Sequence, residues 1–183
     1  EDLSDYDKGE LKKKMSNAGL ISKTDQNIYE IAYDISQHFS SNWGHTDTRD
    51  HTGFRGMVVT PDKPTAVKYK RAFDLINKVK TEIVMSAADS RESNDDVHSS
   101  ESDEVVKYYE LLKTKYGNDI DNAVITQYEH GESIELLIVI EKLLTGFDVP
   151  QTIVMYLCKK LKEHTLLQAI ARVNRVYPGK DYG

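Results

Sequence analysis

The chain reads as an α/β protein, a parallel sheet with helices on both faces. Leu136-Leu137-Ile138-Val139-Ile140 is an unbroken apolar run of strand length, which suits a central strand covered on both sides. Shorter runs at Gly56–Thr60, Glu82–Met85 and Thr152–Leu157 have the same character. Between them lie segments with apolar residues at three- and four-residue steps, and alternation of this kind builds a parallel sheet with ligands at the carboxyl ends of its strands. The 183 residues suffice for one ordinary domain with a real core.

Taken in order, positions 1–23 are acidic, then basic, with little periodicity, and read as a linker or a frayed helix. Thr24 is placed to cap a helix whose apolar stripe is Ile28, Ile31, Ala32, Ile35 and Phe39. Trp43 to Gly53 is a polar loop. The strand Gly56–Thr60 stops at Pro61, and a helix over Thr65–Lys80 follows, with Ala66, Tyr69, Phe73 and Ile76 inward. After the strand Glu82–Met85, residues 88–104 hold Ser, Asp, Glu and Asn around a single larger apolar residue, Val97. That composition buries too little surface to order itself, so it reads as a disordered surface loop. Helix resumes from Val105 to a C-cap at Gly117, and a short helix covers Asn122–Glu129. After two more strands, a last helix runs over Thr165–Val176.

Composition narrows the function. The net charge is −6 and 30% of residues are charged. A free-standing nucleic-acid binder shows a basic excess, so any DNA contact here is local or shared with other domains. The lone cysteine, Cys158, reads as a buried thiol in a strand and fits a reducing, cytoplasmic setting. No apolar run approaches the ~20 residues that span a bilayer, and no signal peptide is present. The chain opens on Glu1 without Met and stops at Gly183 just past a strongly patterned segment, so both ends read as fragment ends.

Three places offer chemistry. On a helix, Gln168, Arg172 and Arg175 stand at steps of four and three and project from one face. Two guanidiniums and an amide suit a phosphate, because Arg offers fixed donors and stays charged. The same spacing also describes a solvated basic face. The turn Thr145-Gly146-Phe147-Asp148 follows the central strand, where backbone N–H groups can approach a phosphate and Asp148 can accept from a ribose hydroxyl. It reads equally as an ordinary loop. Thr60 ends another strand, where a hydroxyl can hold a nucleic-acid backbone or simply open a helix. His45, Asp47, Asp50 and His51 share a polar loop, but zinc needs tighter geometry, and no metal site is expected.

The combination is more specific than its parts. Thr145-Gly146-Phe147-Asp148-Val149-Pro150, followed by Leu166-Leu167-Gln168-Ala169-Ile170-Ala171-Arg172-Val173-Asn174-Arg175-Val176-Tyr177-Pro178-Gly179-Lys180-Asp181-Tyr182-Gly183, closely resembles the restriction subunit of type I restriction–modification enzymes. The two runs resemble motifs V and VI of superfamily-two helicases in that family's form. Met57–Pro61 with Ala66–Lys70 resembles its motif IV and the following helix, and Ile31–Phe39 its lead-in helix. Many superfamily-two helicases carry Gly before the first motif VI Arg. Ala171 stands there in this chain, as in the restriction-subunit form, which speaks against strand separation.

The resemblance implies a RecA-like fold of the P-loop NTPase kind, the second of two motor domains, over residues 24–183 and truncated at its C-terminal edge. It implies Arg172 and Arg175 as arginine fingers on the γ-phosphate of ATP, with Gln168 orienting them or the attacking water. Gly146 and Asp148 would line the nucleotide or couple it to DNA, and Thr60 and Thr145 would touch a DNA strand. The implied partners are double-stranded DNA, the first motor domain and nuclease domain of the same subunit, and the methylation and specificity subunits in a bacterial or archaeal cytoplasm, with no membrane. No Gly-x-x-x-x-Gly-Lys-Ser/Thr occurs, so ATP and Mg²⁺ would be held mainly by the preceding domain, and the fragment alone would hydrolyse nothing. Two other readings fit the same residues: a non-catalytic docking or DNA-binding module on a motor fold, and another superfamily-two helicase domain.

Overall fold

The computed structural model describes residues 25–43, 53–85, 103–130, 133–140 and 149–181. Among them α1 (Asp25–Asn42), β1 (Arg55–Thr60), α2 (Lys63–Ile76), β2 (Thr81–Ile83), α3 (Asp103–Tyr116), α4 (Ile120–His130), β3 (Leu136–Ile140), β4 (Thr152–Leu157) and α5 (Glu163–Val173) follow one another. The segment 1–23, the cap Thr24, the cluster of His45, Asp47, Asp50 and His51, and residues 88–102 of the expected loop lie outside the described residues. Asp103 and Glu104, expected in that loop, instead form the acidic first turn of α3, where carboxylates complement the helix dipole.

The four strands form one all-parallel sheet in the order β2-β3-β1-β4. This is the α/β architecture expected, consistent with a RecA-like fold. Cover on both faces explains why Met57–Val59 of β1 and the whole of β3 are apolar. Val58, Leu136 and Ile138 face one cluster with α1 and α2, whereas Met57, Val59, Leu137 and Val139 face a second with α4 and Ala169 of α5. Helix α3 gives Val105 to the first cluster and Leu112 to the second.

The helix boundaries follow local chemistry. Asp62 is extended and its side chain accepts from Thr65 N at 2.9 Å, with Pro64 in the first turn, so α2 starts at Lys63 rather than Thr65. It ends at Ile76, short of the expected Lys80, because Asn77 turns left-handed (φ 49°) and donates its N–H to Phe73 O. Gly117 takes φ 80° directly after α3. The ladder of β2 stops at Ile83, yet Val84 N still donates to Ile138 O at 3.0 Å. Cys158, expected inside a strand, is half-buried one residue beyond β4 and packs against the first cluster.

Two polar anchors tie helices to the sheet. At its amino end the buried Tyr128 of α4 donates through Oη to Gly56 O (2.9 Å) and hydrogen-bonds Thr152 Oγ1 (3.0 Å), while Arg55 Nε donates to Tyr128 O (3.1 Å). At the β2 edge the Glu82 side chain, 4% exposed, accepts from Tyr108 Oη (2.6 Å), Lys115 Nζ (2.8 Å) and Tyr116 Oη (2.9 Å). Burial alone would push the Glu82 carboxyl up. The hydrogen bonds from Lys115 and Tyr108 and the charges of Lys115 and Lys70 outweigh it, and the carboxyl titrates below its ordinary 4.5.

Candidate functional site

The helix that carries the candidate phosphate face, α5, packs on β4, an edge strand of the described sheet. Leu166, Ile170 and Val173 turn toward β4, with Ala169 beside them. Ala169 is the buried residue at 2% exposure, whereas Ile170 is 50% exposed. The small Ala169 side chain lets the helix backbone approach the sheet but fills little space. Beside it runs an open groove of about 270 Å³ between β4 and α5, lined by residues such as Met155, Leu157, Leu166 and Val173.

His164, Gln168 and Arg172 follow one another at steps of four along α5 and so share one face. Gln168 Nε2 lies 3.2 Å from His164 Nε2. Arg172 is half-buried in the last turn, where a cation also complements the negative end of the helix dipole. The expectation that Arg175 continues this face is corrected by the helix end. The last helical residue is Val173, and the cap Asn174 (φ −93°, ψ 49°) donates its N–H to Ile170 O at 3.1 Å. Arg175, also half-buried, lies beyond the cap, so helical spacing no longer sets its direction.

The chain then turns sharply. Tyr177-Pro178-Gly179-Lys180 is closed by Lys180 N donating to Tyr177 O at 3.0 Å, with Gly179 at φ 77°. The Tyr177 ring meets Phe54 edge-on at 6.3 Å between centroids. Lys180 Nζ donates to Thr152 O (2.7 Å), Pro150 O (3.2 Å) and Val173 O. Those bonds place the end of α5 beside the start of β4. Arg172 therefore sits near the amino end of the sheet.

Thr60 lies at the opposite, carboxyl end, level with Ile140 of β3. It is fully buried, and its hydroxyl donates to Val139 O at 3.2 Å. Thr145, Gly146 and Asp148 fall outside the described residues. β3 ends at Ile140, and Val149, the next described residue, is buried in the second core cluster. The described candidates thus divide: Gln168 and Arg172 share α5, and Thr60 stands apart from them. Sequence reasoning assigned no role to Lys180. The Pro178-Gly179 pair signals the turn, but nothing local signals which carbonyls the lysine reaches.

No group of three or more His, Cys, Asp or Glu able to hold a metal occurs among the described residues, and no described helix is long and apolar enough to cross a membrane.

Residues 52–183 match the family described as type I restriction enzyme subunit R domain 3. A Methanocaldococcus jannaschii protein, provisionally named type I restriction enzyme MjaVIIP endonuclease subunit, is 32% identical over 195 residues, covering 100% of this chain and 17% of its own length. The type I restriction enzyme HindI endonuclease subunit of Haemophilus influenzae is 30% identical over 166 residues, covering 85% of this chain and 14% of that protein. The SauMRSORF196P endonuclease subunit of Staphylococcus aureus is 30% identical over 160 residues, covering 78% and 17%. The chain spans only about a sixth of the length of such relatives. With a family match over most of its residues and this agreement along its whole length, the chain belongs to the type I restriction enzyme subunit R domain 3 family.

Proposed function

We propose that this chain is the second motor domain of an ATP-driven double-stranded DNA translocase, within a subunit that also cleaves DNA. The observation that carries the reading is the common face of Gln168 and Arg172 on α5, half-buried in a chain of this family. Such a pair offers donors and a fixed positive charge and no carboxylate, which fits a phosphate oxygen and does not fit a metal ion. Bound mainly by the preceding motor domain, ATP with Mg²⁺ would supply the phosphoryl group and the counter-charge for its transfer.

Arg172 stabilises negative charge on the γ-phosphoryl oxygens, and Arg175, just past the helix cap, adds a second guanidinium in this reading. Gln168 orients the arginine or a water through its amide, once its contact with His164 opens. Gly146 and Asp148 line the nucleotide or couple it to DNA. Because phosphoryl transfer is catalysed by positioning and charge, a domain that brings Arg only on closure makes hydrolysis depend on closure. Repeated closure on DNA is a translocation step.

Thr60 and Thr145 serve the DNA backbone in this reading. The distance of Thr60 from Arg172, at opposite ends of the sheet, supports two ligands rather than one. A phosphate contact by the Thr60 hydroxyl requires its proton to leave Val139 O. The first motor domain, the nuclease domain, and the methylation and specificity subunits are the partners this function needs, in the cytoplasm.

ATP turnover by the full-length subunit in its complex tests the reading. Turnover that requires duplex DNA supports it. Absence of turnover with duplex DNA favours the alternative, a docking module on a motor fold.

A further inference from the structure

We propose that Lys180 is a positioning residue that fixes the arginine-bearing end of α5 against the start of β4. The inference rests on the motor reading above. A lysine ammonium has three donors, and here each has a carbonyl: Pro150 O, Thr152 O and Val173 O. Withdrawing an ammonium from water is unfavourable unless its hydrogen bonds are replaced, so a half-buried lysine satisfied in this way is a directed arrangement rather than a surface accident.

The rest of α5 is loosely seated. Its N-cap, Lys162, makes no side-chain capping bond. Its buried contact is the small Ala169, Ile170 is half exposed, and the groove beside them is open. The lysine bonds therefore supply the directional constraint at the helix end, next to Arg172. Val173 O is among the last carbonyls of the helix, which lack intrahelical donors, and the ammonium satisfies it.

The connectivity gives the clamp its meaning. Pro150 closes the run Thr145–Pro150, and Val173 belongs to the run Leu166–Gly183. These are the two runs that carry the candidate nucleotide residues, and one ammonium joins them. The ammonium is aimed by the Tyr177–Lys180 turn, which needs the left-handed Gly179 at φ 77° and is braced by Tyr177 against Phe54. A Cβ at Gly179 would meet nothing within 4 Å. Gly179→Ala therefore strains the turn without a clash and disturbs the aim of Lys180 while leaving its side chain intact.

The test is DNA-stimulated ATP hydrolysis by the full-length subunit in its complex, comparing wild type, Lys180→Met, Lys180→Arg, Gly179→Ala and Arg172→Ala. For Lys180→Met we expect kcat to fall by about tenfold or more, with KM for ATP changed by less than about twofold, the pattern of a misplaced transition-state contact. Lys180→Arg, which keeps charge and donors, should recover most of that loss, and Gly179→Ala should lose kcat in the same direction. Wild-type kcat in both Lys180→Met and Gly179→Ala, beside a dead Arg172→Ala, overturns the positioning role and leaves the motor reading standing. A Lys180→Met loss that appears mainly in KM and is not recovered by Lys180→Arg marks a purely structural lysine and also overturns it. Wild-type turnover in Arg172→Ala removes the motor reading and the proposal together.

Discussion

Gly56 and Leu136 lie side by side in the sheet so closely that a Cβ added to Gly56 would stand 2.6 Å from Leu136 Cδ2, and 3.1 Å from Phe39 Cε2 and Val154 Cγ1. The glycine leaves room for the Phe39 ring of α1 between the side chains of Leu136 and Val154. Gly56→Ala should therefore destabilise the fold by about 1–3 kcal/mol, the usual consequence of overpacking a core. Urea denaturation of the two proteins checks this, and an unchanged midpoint would mean that the sheet can open there without strain.

Tyr128 binds the same backbone from the other face. In Tyr128→Phe the Gly56 carbonyl and the Thr152 hydroxyl lose their buried partner, at a cost of about 1–3 kcal/mol. The double variant Tyr128→Phe/Thr152→Val should cost less than the two single changes summed, because the second change removes a group the first leaves unsatisfied. Thermal melting of all four proteins measures that coupling.

Glu82 makes stability depend on pH in acid. Its folded-state pKa lies below the ordinary 4.5. Its contribution is therefore present above pH 4.5 and fades as pH falls through the lower folded value. In Glu82→Gln an amide donor faces Lys115 or Tyr116, so the variant should be less stable than wild type near neutrality. The difference should shrink as acid protonates the wild-type carboxylate. Urea midpoints across the acid range read this out, and a difference independent of pH would show that the carboxylate charge contributes nothing.

Much of the fold was legible because it rests on local chemistry. The apolar run Leu136–Ile140 suits a strand covered on both faces, and Ile28, Ala32, Ile35 and Phe39 repeat at helical spacing. Boundaries were less legible. Asn77 ends α2 by entering the left-handed region, a choice that Asn permits but does not announce. Asp62 caps α2, which starts two residues before the point that the apolar spacing suggests. The candidate site was legible only in part. The steps from Gln168 to Arg172 to Arg175 suggest one helical face, yet the helix stops between the arginines, so spacing held for the first step and not the second. Ala169, small and unremarked in the pattern, is the buried residue of α5 against the sheet. Glu82 and Lys180 leave no local signal: Tyr108, Lys115 and Tyr116 reach the one from far along the chain, and the other meets backbone carbonyls, two of them about thirty residues away.

The central claim is that Arg172 completes an ATP-hydrolysing site. The most direct measurement is DNA-stimulated ATP turnover by the full-length subunit in its complex, with wild type beside Arg172→Ala and ATP binding followed separately. The account predicts a loss of about a thousandfold in turnover, roughly 4 kcal/mol of transition-state stabilisation, with ATP still bound. A loss smaller than about tenfold would contradict the assignment of Arg172 as a trans-acting arginine.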